Sequence, residues 1–340
     1  MRVEEFDYRL PPELIAQDPI PERDRSRLLV LDRRDRSITH KQFYQVIEYL
    51  GPGDALVLNN TKVIPARLRG VRLTGGKAEV LLLRALGEDT WECLVKPGQK
   101  TRTGDRLFFG KDGELVGTVL SRTGYGGRIV RWTYQGRWEE VLANLGEMPL
   151  PPYIKKPLVE PSRYQTVYAR IPGSAAAPTA GLHFTPSLLD QVRAAGCQVL
   201  EVTLNVGLGT FRPVREETVE AHQIHEEYFE LTEEVAGAVN KVKRDGGRIH
   251  AVGTTVVRTL ESCAEDGEVH PMSGPTGLFI YPGYRYKVVD RLITNFHLPK
   301  STLMMLVSAF AGKDLIMGAY EEAVRERYRF FSFGDAMLIL

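Results

Sequence analysis

Cysteine is scarce in this sequence, and the three present, Cys93, Cys197 and Cys263, are odd in number and far apart. That excludes a disulfide framework and a Cys-x-x-Cys metal clip, and leaves them as small buried hydrophobes. No apolar run reaches the roughly 18 residues of a membrane span, and no apolar stretch follows a basic N-terminus as in a secretory leader. A cytoplasmic protein is therefore expected. Also missing are the G-x-x-x-x-G-K-S/T phosphate loop, a G-x-G-x-x-G turn between strand and helix, H-E-x-x-H and G-x-S-x-G. ATP hydrolysis, a Rossmann cofactor site, zinc proteolysis and serine hydrolysis lose their usual supports.

What is present divides the chain in two. At 340 residues it exceeds the roughly 250–300 at which one hydrophobic core stops growing, so two domains are expected. The net charge of +1 hides a split: residues 62–156 hold 17 Lys and Arg against 10 Asp and Glu, a net +7, which leaves −6 elsewhere. The same segment holds Trp91, Trp132 and Trp138. A basic surface interleaved with aromatics is one footprint of nucleic-acid binding. The bland alternative makes the tryptophans core and the cations a solvated face, and for the tryptophans alone it is preferred.

Texture follows charge. From Arg67 to Trp132, short β-like runs such as "AEVLLLRAL", "TWECLVKP" and "GRIVRWTY" alternate with Gly-rich turns, which predicts a small antiparallel barrel or sandwich. After the proline-rich "GEMPLPPYIKKP" the pattern becomes strand then helix, an α/β texture. Thr185 with Pro186, and Thr232 with two acids, read as helix starts. The buried-strand runs "RLLVLD" and "DALVLNN" place residues 1–61 with the C-terminal part. The expectation is an α/β catalytic domain of residues 1–61 plus 157–340, interrupted by a basic β domain over 62–156.

Candidate chemistry lies at strand ends, where α/β folds bind ligands. In "HAVGTTVVR" a strand runs into Gly253, Thr254 and Thr255 and then a helix carrying Arg258; free N–H groups, two hydroxyls and a guanidinium would converge on an anion. The alternative is that Thr254 or Thr255 only caps the helix. "LITNFHLPKST" ends a strand at Asn295, followed by His297. "VTLNVGLGTFRPV" ends in a Gly207-x-Gly209-Thr210 turn that permits close approach. In "EAHQIHEEYF", His222 and His225 would share a face on a helix; they read as a proton-transfer pair or a plain surface pair, and no metal site is expected for want of further ligands. Finally, "APTAGLHFT" sets His183 among small uncharged residues.

Together, "PTAGLHFT", "GLGTFRPV", "AVGTT", "TNFHLPKSTLMMLVSAFAG" and "YRFFSFGDAMLI", with "FDYRLPPELIAQDP", "DRSRLLVL" and "GDALVLNNTKVIPARL" upstream, resemble the S-adenosylmethionine:tRNA ribosyltransferase-isomerases from about Phe6 to Ile339. The resemblance implies a barrel-like α/β catalytic domain with an inserted small antiparallel β-barrel. It also implies transfer and isomerisation of the ribosyl group of S-adenosylmethionine onto 7-aminomethyl-7-deazaguanine at the tRNA wobble position, giving epoxyqueuosine, adenine and methionine. S-adenosylmethionine is then a consumed co-substrate and no further cofactor is needed. A monomer is expected rather than an obligate oligomer. One departure matters: the family strand usually reads "LHVG", and here it is "LNVG" with Asn205, which cannot shuttle a proton near neutral pH.

Residue chemistry within this neighbourhood suggests roles. His183 and His225 would carry proton transfer, with His297 in reserve. Thr254, Thr255 and Arg258 would hold the methionine carboxylate or ribose hydroxyls, and the turn with Gly207, Gly209, Thr210 and Phe211 would wall the adenine. Asn295 would orient the ribose, with Thr179 and Asn205 completing the substrate-binding set. Arg23, Arg25, Arg27, Lys62 and Arg67 are the candidate RNA contacts. An RNA methyltransferase and a catalytically dead tRNA-binding protein are the competing readings.

Overall fold

The computed structural model describes residues 1–124, 126–207, 214 and 216–340. Two compact units emerge: Met1–Thr61 with Pro152–Ile171 and Ala177–Leu340, and Lys62–Pro151 with Pro172–Ala176. The linker prolines thus divide, Pro149 and Pro151 falling in the smaller unit and Pro152 and Pro157 in the larger, while Pro172–Ala176 joins the smaller. There the Ile64 N–H donates to the Ser174 carbonyl (3.0 Å).

The smaller unit is a closed antiparallel barrel. Its strands follow the order Arg67–Arg72, Lys77–Gly87, Thr90–Lys96, Arg128–Tyr134, Leu115–Arg122 and Arg106–Phe109, and the last pairs back onto the first. Alternation puts Leu68, Val80, Leu107, Val119, Val130 and Trp132 inside, the period of a sheet with one face dry. Trp132 is core as expected, and Trp138 packs near it with ring centroids 5.9 Å apart.

The larger unit is built on a nine-stranded mixed sheet in the order Met272–Thr276, Glu227–Leu231, Gln198–Leu204, Ala55–Asn59, Ile249–Val252, Arg291–Asn295, Ala336–Ile339, Arg27–Leu31, Ile38–Gln42. The four consecutive strands from Gln198–Leu204 to Arg291–Asn295 are parallel. Ala55–Asn59 and Ile249–Val252 are buried throughout, as parallel strands covered on both faces must be. Helices Pro186–Ala194 and Glu233–Arg244 start where the sequence signals them, the Thr185 and Thr232 hydroxyls accepting from Leu188 and Val235 N–H. In the second helix Ala236, Val239 and Val242 form the buried stripe. Among the described residues no single helix is long and apolar enough to cross a membrane; the apolar Thr302–Ala311 helix is buried along most of its length.

This topology positions the site. The four parallel strands all end at one edge, bringing Asn59, Leu204, Val252 and Asn295 together. From Ala55–Asn59 the chain continues to Gln198–Leu204 on one side and later returns to Ile249–Val252 on the other. A crevice opens at such a reversal.

Candidate active site

The crevice is an open cleft at the strand ends, the place where α/β sheets bind ligands. Its floor is the ends of the Ile249–Val252 and Arg291–Asn295 strands; Thr179, Gly253, Thr254, Thr255, Asn295 and His297 all line it. Gly253 adopts φ 90°, ψ 156° and is the residue from which helix Thr254–Ser262 starts. Neither threonine is therefore the cap. Both lie in the first turn, where backbone N–H groups have no intrahelical acceptor and favour an anion. The Asn59 amide donates to the Thr255 hydroxyl (3.1 Å) and to the Leu204 carbonyl (2.9 Å), tying three strand ends together.

"APTAGLHFT" forms a 3-10 helix, Thr179–His183, that is almost wholly interior. That explains its lack of charge. At Gly181 a Cβ would fall 1.9 Å from the Tyr168 hydroxyl oxygen and 2.9 Å from Thr166 Cγ2, so a larger residue there would have to displace them. The turn feeds a directed hydrogen-bond chain. The Thr179 hydroxyl donates to Asn295 Oδ1 (2.9 Å), and Asn295 Nδ2 donates to the Phe331 carbonyl (3.3 Å). Nδ2 has only protons to offer, so at 3.1 Å His183 Nε2 is the acceptor. Nδ1 then carries the proton and donates to the Ser26 hydroxyl (2.7 Å). The ring lies on Phe43, centroids 4.9 Å apart. Burial, with Arg23 and Arg329 nearby, pushes His183 down to about 3.

His183 therefore does not line the cleft. It faces a second, smaller cavity, and Asn295 stands between it and the first. Of the three candidate histidines, His297 is the one that lines the cleft. Its Nε2 pairs with the Thr294 hydroxyl (2.9 Å), its backbone N–H donates to the Tyr320 hydroxyl (2.9 Å), and burial pushes the imidazole down to about 3. His225 is exposed. The helix on which His222 and His225 would share a face is absent there: a short 3-10 turn, Val219–Ala221, gives way to irregular chain and then strand Glu227–Leu231. His222 instead meets Glu216 (2.8 Å).

Arg258 is a correction. Its guanidinium is buried and donates to the Thr276 carbonyl (3.0 Å), the Leu278 carbonyl (3.1 Å) and the Glu227 carboxylate, so it ties two sheet strands together instead of awaiting a ligand. Glu227 in turn accepts the Gly207 N–H (2.7 Å). Gly209, Thr210 and Phe211 lie outside the described residues. Asn205 is held aside, its Oδ1 accepting from the Thr61 hydroxyl (2.9 Å).

The candidate RNA contacts separate as well. Arg23 spends donors on the Leu182 and Ser162 carbonyls (3.1 Å each), and Arg27 donates to the Glu326 carbonyl (2.6 Å) while covering the Tyr328 ring. Arg25 and Lys62 are exposed and Arg67 is half-buried. Sequence reasoning missed Ser26, Asn59, Tyr153, Phe331 and Ser332. Phe331 is a buried aromatic at φ 70°, a conformation that bulky residues adopt only under constraint, and its ring meets Tyr153 at 4.8 Å in the cleft wall.

The family profile described as "Queuosine biosynthesis protein" matches residues 3–339. Proteins named S-adenosylmethionine:tRNA ribosyltransferase-isomerase from Symbiobacterium thermophilum and Caldanaerobacter subterraneus are 61% and 58% identical to this chain over the full length of both partners. A crystal structure of S-adenosylmethionine tRNA ribosyltransferase from Thermotoga maritima is 44% identical, covers 99% of this chain and 100% of its own, and superposes with a TM-score of 0.58. With full-length matches of this strength, the chain belongs to the S-adenosylmethionine:tRNA ribosyltransferase-isomerase family of queuosine biosynthesis proteins.

Proposed function

We propose that this enzyme transfers and isomerises the ribosyl moiety of S-adenosylmethionine onto 7-aminomethyl-7-deazaguanine at the wobble position of tRNA. Epoxyqueuosine forms, and adenine and methionine leave. S-adenosylmethionine is a consumed co-substrate in this reading, with no other cofactor. The observation that carries it is the cleft itself, lined together by the helix start at Thr254 and Thr255, by His297 and by the fixed amide of Asn295. Family membership supplies the reaction class.

The chemistry makes three demands: removal of a carbon-bound proton acidified by the sulfonium, protonation of departing adenine, and immobilisation of the rest of the donor. First-turn N–H groups and hydroxyls of Thr254 and Thr255 suit the methionine carboxylate. His297 is the proton acceptor in this reading because it is the histidine at the cleft wall. His183 acts through Asn295: by accepting from Nδ2 it fixes which way the amide points.

Incubation with S-adenosylmethionine and precursor tRNA tests this. Adenine release is expected. S-adenosylhomocysteine instead would identify a methyltransferase, and neither product at any pH would leave an RNA-binding protein. His297→Ala should lower kcat by about a hundredfold or more, the usual worth of a general base; near-normal turnover removes His297 from the proton path.

A further inference from the structure

Behind His183 lies a small depression open to solvent, bounded by Arg23, Arg163, Ser26, His183 and Ser332. Ser332 also lines the cleft, so the two spaces are one side chain apart. We propose that this cavity binds a backbone phosphodiester of the RNA, one flanking the nucleotide presented to the cleft. The proposal rests on the tRNA-modifying reading above and specifies where that RNA is gripped.

Unbalanced charge is the reason. The Arg163 guanidinium donates to the Pro21 carbonyl (2.9 Å) and the Ile20 carbonyl (2.6 Å), and Arg23 to the Leu182 and Ser162 carbonyls. Carbonyls hold a guanidinium in place without neutralising it. Each arginine has five N–H donors and spends two in these bonds, and Arg163 Nε is buried with no partner. No ion pair among the described residues reaches Arg23 or Arg163, whereas Arg329 has the Asp335 carboxylate near it. Desolvation and then the proximity of Arg163 hold Arg23 below the usual arginine range, and Arg23 and Arg329 both act on His183. Half-buried like charges without a counter-ion disfavour one another. A phosphodiester supplies the missing negative charge and oxygens suited to planar guanidinium forks, whereas a neutral base would leave the charge unmatched.

The test is salt-dependent binding of an anticodon stem-loop to the full chain, from about 50 to 200 mM salt. Arg163→Gln should weaken binding about tenfold at low salt and lower the slope of log affinity against log salt by about 0.7–0.9, the signature of one phosphate left unneutralised. Arg163→Lys should keep the slope. Weaker binding at unchanged slope would mean the pocket takes a base or that Arg163 is only structural, and it overturns the proposal.

A second measurement guards against misfolding of the variant. With the unaltered protein, a neutral methylphosphonate at one of the two linkages flanking the target nucleotide should reproduce the loss, and Arg163→Gln should be indifferent to it. No loss at either linkage, or equal loss in both proteins, overturns the proposal. So does RNA binding that ignores the linkages yet is displaced by inorganic phosphate at constant ionic strength. Turnover with an unaltered slope sinks only the cavity, while linkage sensitivity without adenine release sinks only the ribosyl-transfer reading.

Discussion

His183 and His297 are only 4% and 7% exposed, and burial pushes both down to about 3. In the unfolded chain each titrates near 6.5. Between about pH 3 and 6.5 the unfolded state binds more protons, so stability rises with pH across that window. The contribution is whole above about 6.5 and erodes as pH falls toward 3. Each imidazole adds at most about 1.4 kcal/mol per pH unit to the slope. Urea unfolding of His183→Gln between pH 7.5 and 4.5 should therefore show a shallower acid decline than the unaltered protein. An identical slope would mean the buried ring is not kept neutral. Thr179 and Asn295 were legible in the sequence because short polar residues at strand ends invite a ligand or a network, whereas His183, expected to carry protons at the substrates, sits behind Asn295 and outside the cleft. Ser26 and Asn59 were not legible, since nothing local reveals that a hydroxyl at residue 26 will meet a ring at residue 183. Arg258 was misread for the same reason: its partner, Glu227, comes from a strand 31 residues away.

At the scale of elements, local signals were the reliable ones. Thr185, Thr232 and Ser301 cap the helices they precede, because an N-cap needs only its own residue and the next turn. His222 and His225 show the limit: three-residue spacing fits a helix, but the neighbouring segment alternates buried and exposed as strand Glu227–Leu231, and sheet pairing decides. At the cleft the governing residue is Gly253, whose φ 90°, ψ 156° lies in a region open essentially to glycine alone. An added methyl would sit 3.6 Å from the Ala180 Cβ, an ordinary separation, so the penalty for Gly253→Ala is conformational and amounts to about 1–3 kcal/mol. Relaxing that strain would turn the first helical N–H groups away from the cleft. Gly253→Ala should therefore lower the thermal midpoint and also weaken S-adenosylmethionine binding by calorimetry. A lower midpoint with unchanged affinity would show that Thr254 and Thr255 do not hold the donor.

Across the whole molecule, the +7 of residues 62–156 divides: Lys155 and Lys156 fall in the larger unit, and the other 15 cations, against 10 acids, belong to the unit of the small barrel. Arg128, 1% exposed, is held by the carbonyls of Gly98, Thr101, Gly126 and Gly127 without any carboxylate. One buried cation thus organises two loops, and the chain around them carries Lys100, Arg102 and Arg122, all exposed and without an ion pair among the described residues. The sequence displayed the charge imbalance but could not say which cations are spent internally; Arg69, Arg84 and Lys96, for instance, are paired with Glu147, Glu92 and Glu79. Unpaired exposed cations are the ones that release counter-ions on meeting RNA. Reversing three of them together, Lys100→Glu, Arg102→Glu and Arg122→Glu, should weaken tRNA binding and reduce its salt slope by about 0.7–0.9 for each phosphate no longer neutralised. S-adenosylmethionine affinity should stay unchanged, because that cleft belongs to the other unit. A retained slope would mean that these loops do not meet the RNA backbone, and the insert's positive charge would then serve solubility alone.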